Sequence, residues 1–156
     1  MDYRQMTAPC GLDCFNCHFY LADKEPLAMA EVEENVGWAL DRGCHRYDLF
    51  FMVGLPGQDR GSVLDTVAYC ADLMARTPKG LLPFISALTP FLDPGSRFFE
   101  QPAEHGYRVH FRSLEEHRQA LVAPRWEHRL NYETDQLTRA ELADLSFEGC
   151  RAMIEV

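Results

Sequence analysis

The chain has 156 residues, 47% apolar and 25% charged, with a formal net charge of −9. That length suits one domain with its own core and excludes two full ones. The acidic balance argues against a surface that wraps nucleic acid, since phosphate binding needs clustered Lys and Arg. The first residues, "MDYRQMTAPC", lack the basic start and apolar run of a secretory signal. The longest strongly apolar run, "LFFMVGL" at 49–55, falls far short of the roughly 20 residues that span a bilayer. Six cysteines without an export signal point to a reducing compartment, where thiols bind metal or sit in cores. The expected location is the cytoplasm, with no membrane contact.

In chain order, Met29, Val32, Val36 and Ala39 or Leu40 recur at helical spacing within 25–42. Pro26 suits the first turn of that helix and Gly43 its stop. "RYDLFFMVG", 46–54, is short, aromatic and apolar, and reads as a strand buried on both faces. After the turn "GLPGQD", Val63, Leu64, Val67, Ala71 and Met74 predict a helix over 61–76, capped by Asp59 or Ser62. "LLPFISAL", 81–88, is the next strand, with Pro83 confining it to an edge or a strand start. Strand, helix and strand make a right-handed βαβ unit.

Beyond it, "TPFLDPGSRFFEQPAEHGY" reads as loop, sharpest at Asp93-Pro94-Gly95. Ser113 with Glu116 opens a helix to about Val122, and Thr138 with Glu141 opens the last, to about Ile154. On the first of these, Glu115, Glu116 and His117 read as a solvated face. Cys70 and Cys150, on helices, read as core thiols. Trp126 and "LNYET", 130–134, suggest no chemistry. The class is α/β, or α+β if the second strand does not form.

The densest chemistry is "TAPCGLDCFNCHFYLA", 7–22, which sets Cys10, Cys14 and Cys17 in a Cys-x3-Cys-x2-Cys pattern. Spacing this tight lets one loop wrap a single metal centre, and bound metal keeps thiols deprotonated at neutral pH. Structural zinc takes four ligands, and iron–sulfur clusters usually take four cysteines. Three thiolates leave one position for a substrate or cofactor. For zinc, His18, or His45 beside Cys44, would supply the fourth ligand. The plain alternative is a thiol cluster without metal. A second stretch, "DLFFMVGLPGQ", 48–58, ends a strand in Gly-x-Pro-Gly at the carboxyl edge of the sheet, where ligands bind in open α/β sheets and barrels. Gly54 and Gly57 leave the backbone bare there.

The three cysteines resemble the signature of the radical S-adenosylmethionine enzymes. In that family three thiolates hold a [4Fe-4S] cluster whose fourth iron chelates the cofactor's amino and carboxylate groups. The position before the last cysteine, usually aromatic in that family, is Asn16 here, with Phe15 one earlier. "APCGLDCFNCHFYLA" is also similar to a small cysteine-rich family of unknown function that opens with Cys-Gly-Leu-Asp-Cys. From about Ala30 to Glu148 the chain resembles the C-terminal part of radical S-adenosylmethionine enzymes of the cobalamin-associated branch. The matching text includes "VEENVGWALDRGCHRYDLFFMVGLPGQDRGSVLDTVAYC" and "PFISALTPFLDPGSRFFEQPAEHGYRVHFRSLEEHRQALVAPRWEHRLNYET". The resemblance implies a partial (β/α) barrel, with Met52, Val53, Gly54 and Leu55 lying against the adenine of S-adenosylmethionine. Gln58, Ser86, Asp93 and Arg97 lie beyond strand ends, where they would either face a substrate or be solvated or serve as caps.

Only 31 residues lie between Cys17 and Leu49, room for one helix, whereas a full barrel takes about 250 residues. Most of the barrel is therefore absent. Either a reduced unit still holds a cluster, completed by a second copy or a partner subunit, or the cysteine segment (1–22) is a separate metal-binding tag on an α/β domain (23–156). The first reading gives a truncated radical S-adenosylmethionine-like protein, not expected to complete catalysis as a monomer. The second gives a non-catalytic zinc-binding or assembly protein. An open sheet edge predicts self-association in either case.

Overall fold

A computed structural model describes residues 29–77, 79–85 and 91–156. The cysteine trio, His18, Pro26, Ser86 and the expected boundary at 22/23 lie outside the described residues. The chain divides into two compact units, Met1–Cys44 and His45–Val156.

The described part of the first unit is helix α1, Met29–Asp41, which buries Val36 and Leu40. Gly43 ends it at φ +91°. The Gly43 N–H donates to Leu40 and the Cys44 N–H to Ala39, at 3.0 and 3.1 Å. This pair of bonds is the Schellman arrangement, which the left-handed glycine makes possible.

The second unit opens with strand β1 (Tyr47–Phe51), helix α2 (Arg60–Arg76) and strand β2 (Leu81–Ile85). The strands are parallel, with Tyr47 opposite Leu81 and Phe51 opposite Ile85. Asp59 caps α2 by accepting from the Ser62 N–H, while the Ser62 hydroxyl accepts from the Asp59 N–H, at 2.8 and 2.9 Å. Both residues expected as caps thus share one capping box.

Next come a short helix α3 (Arg97–Glu100), a 3-10 turn (Pro102–His105) and strand β3 (Tyr107–Val109). Helix α4 (Leu114–Leu121), a second 3-10 turn (Trp126–His128), strand β4 (Tyr132–Thr134) and helix α5 (Arg139–Ile154) complete the unit. β3 and β4 form an antiparallel ribbon with Tyr107 opposite Thr134. Helix α4 forms where Ser113 and Glu116 predict it, while α3, the 3-10 turn and the start of strand β3 lie in the stretch expected as loop at 89–107, and β4 is a strand that was not expected. The Asp93 corner does form, its carbonyl accepting from Ser96 at 3.0 Å, with Gly95 at φ +87° after Pro94.

Helix α5 packs against both α2 and β2. Val63, Val67, Cys70, Ile85, Leu145 and Met153 meet there in one core cluster. Gly149 permits the close approach, since a Cβ at that position would lie 3.0 Å from Val63 and 3.2 Å from Ile85. The other cluster, Leu92, Phe99, Tyr107, Leu130, Tyr132, Leu142 and Ala143, fills the space between the ribbon and α5.

The fold is mixed α/β with a parallel βαβ unit. One expectation fails: β1 is not buried on both faces. Leu81, Pro83 and Ile85 are buried on the helix side, while Phe50 is 70% exposed on the other and stacks on Phe84 at 5.3 Å. Among the described residues the sheet has two strands, and α2 and α5 cover one face of it. Pro83 sits at mid-strand opposite Leu49. A two-stranded sheet consists of edges, so the position is consistent with the confinement of Pro to edge strands.

Candidate functional site

Met52, Val53, Gly54 and Leu55 follow β1 directly at the carboxyl edge of the parallel pair. Met52 is 43% exposed and Leu55 half-buried, whereas Val53 is 1% exposed and belongs to the core. Gly54 adopts φ +99°, a conformation that side-chain-bearing residues rarely take. A Cβ there would lie 2.2 Å from the Tyr132 hydroxyl oxygen and 3.4 Å from Leu142. Gly54 therefore makes room for a tyrosine of this chain, and its Cβ side is filled.

The polar groups of the turn are also spent. The Gln58 side-chain oxygen accepts from the Gly54 and Leu55 N–H groups, both at 2.9 Å. Its amide nitrogen donates to the Met52 carbonyl at 3.1 Å. The Gly57 N–H donates to the Gln136 side chain at 3.0 Å. Gln58, expected to face a substrate or serve as a cap, is the clamp of this turn. Gly57 is open, with nothing within 4 Å of the place a Cβ would take, and at φ +79° it too needs the freedom of glycine.

Tyr132 is fully buried, and its hydroxyl has no hydrogen-bond partner among the described residues. Burial, with Tyr107 beside it as a lesser cause, raises its pKa. The two rings meet edge to face at 5.2 Å. Burial also pushes Tyr107 up to about 12 and the Cys70 thiol up to about 11, keeping that thiol neutral and inert. Cys150 is half-buried on α5. Asp93 and Arg97 are exposed. No group of three or more His, Cys, Asp or Glu among the described residues is arranged to hold a metal.

Helix α4 departs from the expected solvated face. Glu115 and Glu116 are exposed, but His117 turns inward. Asn131, fully buried, accepts from the Leu92 N–H at 3.1 Å and donates to the Leu92 carbonyl at 2.7 Å. Those two bonds fix its amide orientation, so its second N–H points to His117 Nε2 at 3.3 Å. His117 Nε2 then accepts, and Nδ1 carries the proton to the Ser113 carbonyl at 2.9 Å. Glu116 accepts from the backbone N–H groups of Arg112 and Ser113 and from the Ser113 hydroxyl. Chiefly those backbone bonds hold its pKa at about 2.

Near this helix lies a cleft of about 450 Å³ lined by His110, Phe111, Glu116, Gln119, His128 and Arg139 among others. Sequence reasoning missed it, because its residues come from four separate elements and share no spacing pattern. No family model, no curated protein and no solved structure matches this chain. No helix among the described residues is long and apolar enough to cross a membrane.

Proposed function

We propose that this chain is a truncated radical S-adenosylmethionine-like iron–sulfur protein of the cytoplasm, with Cys10, Cys14 and Cys17 as ligands of a [4Fe-4S] cluster. The observation that supports this reading is the parallel β1–α2–β2 unit with its glycine turn directly after β1. That is the order of elements which the resemblance to a (β/α) barrel's C-terminal part implies. The donor set also suits the group, since three thiolates satisfy a cubane's irons but for one. When bound, the cluster supplies an iron with a vacant coordination position for the cofactor's amino and carboxylate groups.

The turn's part in holding S-adenosylmethionine is narrower than the resemblance implies. Gly54 and Leu55 have no N–H to offer an adenine, and Val53 faces the core. What is left to the cofactor is the apolar surface of Met52 and Leu55. The exposed Phe50–Phe84 face of the parallel pair, two-stranded among the described residues, supports completion by a second copy or a partner subunit, because parallel sheets are ordinarily covered on both faces.

The test is metal analysis of the full chain purified anaerobically, beside a variant with serine at all three positions. About four irons and four sulfides per chain, lost in the serine variant, is the expected result. Stoichiometric zinc without sulfide would replace this reading with the non-catalytic zinc-binding one. Metal content unchanged by the serine substitutions would remove both.

A further inference from the structure

The cleft beside α4 carries an inference that is independent of the cysteines. Three carboxylates lie in or next to it, and each is committed. Glu116 is held by the capping bonds described above. Glu133 lies 3.2 Å from both Arg108 Nη1 and His110 Nε2, and also accepts from the Arg139 backbone N–H at 3.2 Å. Glu127 lies 3.2 Å from Arg125 and 3.3 Å from His128 Nε2.

The cations are less evenly served. The Arg139 guanidinium, half-buried at the first position of α5, has no ion pair and no side-chain hydrogen bond among the described residues. Its one described contact is with the Phe111 ring, 5.7 Å from the centroid. His110 and His128 each turn Nε2 toward a carboxylate, and neither has a described partner at Nδ1. A half-buried guanidinium with no ion pair leaves part of its hydrogen-bonding capacity unused. Its planar fork matches a carboxylate or phosphate. In a chain of net charge −9, one unpaired cation in a concave wall with two imidazoles is a local exception.

We infer that this cleft binds a small organic oxyanion, a phosphate or a carboxylate, with Arg139 as the anchor, His110 and His128 beside it and Phe111 as the apolar wall. A volume of about 450 Å³ exceeds what a bare ion fills and falls within the range of ligand sites. The organic part of the ligand would occupy the remainder.

The probes are inorganic phosphate and acetate, titrated calorimetrically into the full chain at an ionic strength held constant with chloride. Saturable binding of either is expected, and which of the two binds more tightly assigns the class. Arg139→Gln should weaken it by about ten- to hundredfold, the usual cost of a lost charge-assisted bond. Arg139→Lys should keep part of it, because the charge survives and the fork does not. Arg60→Gln, whose guanidinium pairs with Glu148 and which does not line the cleft, should leave it unchanged. A measurement that needs no variant is the rate at which phenylglyoxal modifies Arg139, read by mass spectrometry; the better-binding anion should slow it. No saturable heat from either probe, equal affinity in Arg139→Gln, or an unprotected Arg139 would each overturn the inference.

Discussion

The glycine turn after β1 and the cleft beside α4 are built from similar materials and end in opposite states. Both combine a capped helix start with polar side chains and a nearby aromatic ring. In the turn, backbone groups are taken up within the chain: Gln58 takes two N–H groups and one carbonyl, Gln136 takes a third N–H, and Tyr132 fills the flank of Gly54. In the cleft, the carboxylates are satisfied while the Arg139 guanidinium is not. The backbone at this strand end is thus bonded within the chain, whereas the Arg139 charge is left without an ion pair among the described residues. A glycine can be present for the sake of its own chain's tyrosine.

The contrast can be broken most sharply at Gly54. Gly54→Ala places a methyl group against the Tyr132 hydroxyl and forces a disfavoured φ, so a loss of about 3 kcal/mol or more is expected in urea denaturation. Adding Tyr132→Phe should restore part of that loss, a coupling the double-mutant cycle would read. Asn131→Ala should cost about 2–3 kcal/mol, because it orphans the buried Leu92 groups and His117 together. Gln58→Ala, which frees two N–H groups in a half-buried turn, should cost about 1–2 kcal/mol.

A smaller effect concerns Glu116. Its folded pKa, about 2, lies below the ordinary 4.5. Its carboxylate therefore stabilises the fold fully above pH 4.5, and that contribution fades as pH falls from there toward 2. Glu116→Gln should show a shallower loss of urea midpoint across that window than the wild type. The smallest effect is expected for Tyr132→Phe alone, within about 0.5 kcal/mol of neutral or slightly stabilising, since it removes a buried hydroxyl without a partner.

Local signals were legible in the sequence. Asp59 with Ser62, Ser113 with Glu116 and Thr138 with Glu141 each mark a helix start through bonds made within three residues. The parallel pair was legible too, from two apolar runs flanking a helical pattern. What escaped reading depends on partners far along the chain. The β3–β4 ribbon has only three residues per strand, too few to show alternation, and its register is set by pairing Tyr107 with Thr134. Tyr132 sits in "LNYET", which has no periodicity to announce its burial beneath Gly54. His117 looks solvated beside Glu115 and Glu116 until Asn131 is brought to it. The exposure of Phe50 could not be foreseen from a run that is apolar throughout, since the run does not say how many sheet faces will be covered. The cysteine trio carries the proposal of metal chemistry through its spacing alone, outside the described residues.

The proposed centre of this protein is a [4Fe-4S] cluster held by three thiolates with one open iron. Its most direct test is the electron paramagnetic resonance spectrum of the reduced, reconstituted full chain, recorded with and without S-adenosylmethionine. A cluster signal whose g-values shift on addition of the cofactor is the predicted result. A cluster signal that the cofactor leaves unchanged, or no cluster signal from protein whose three cysteines are intact, would contradict it.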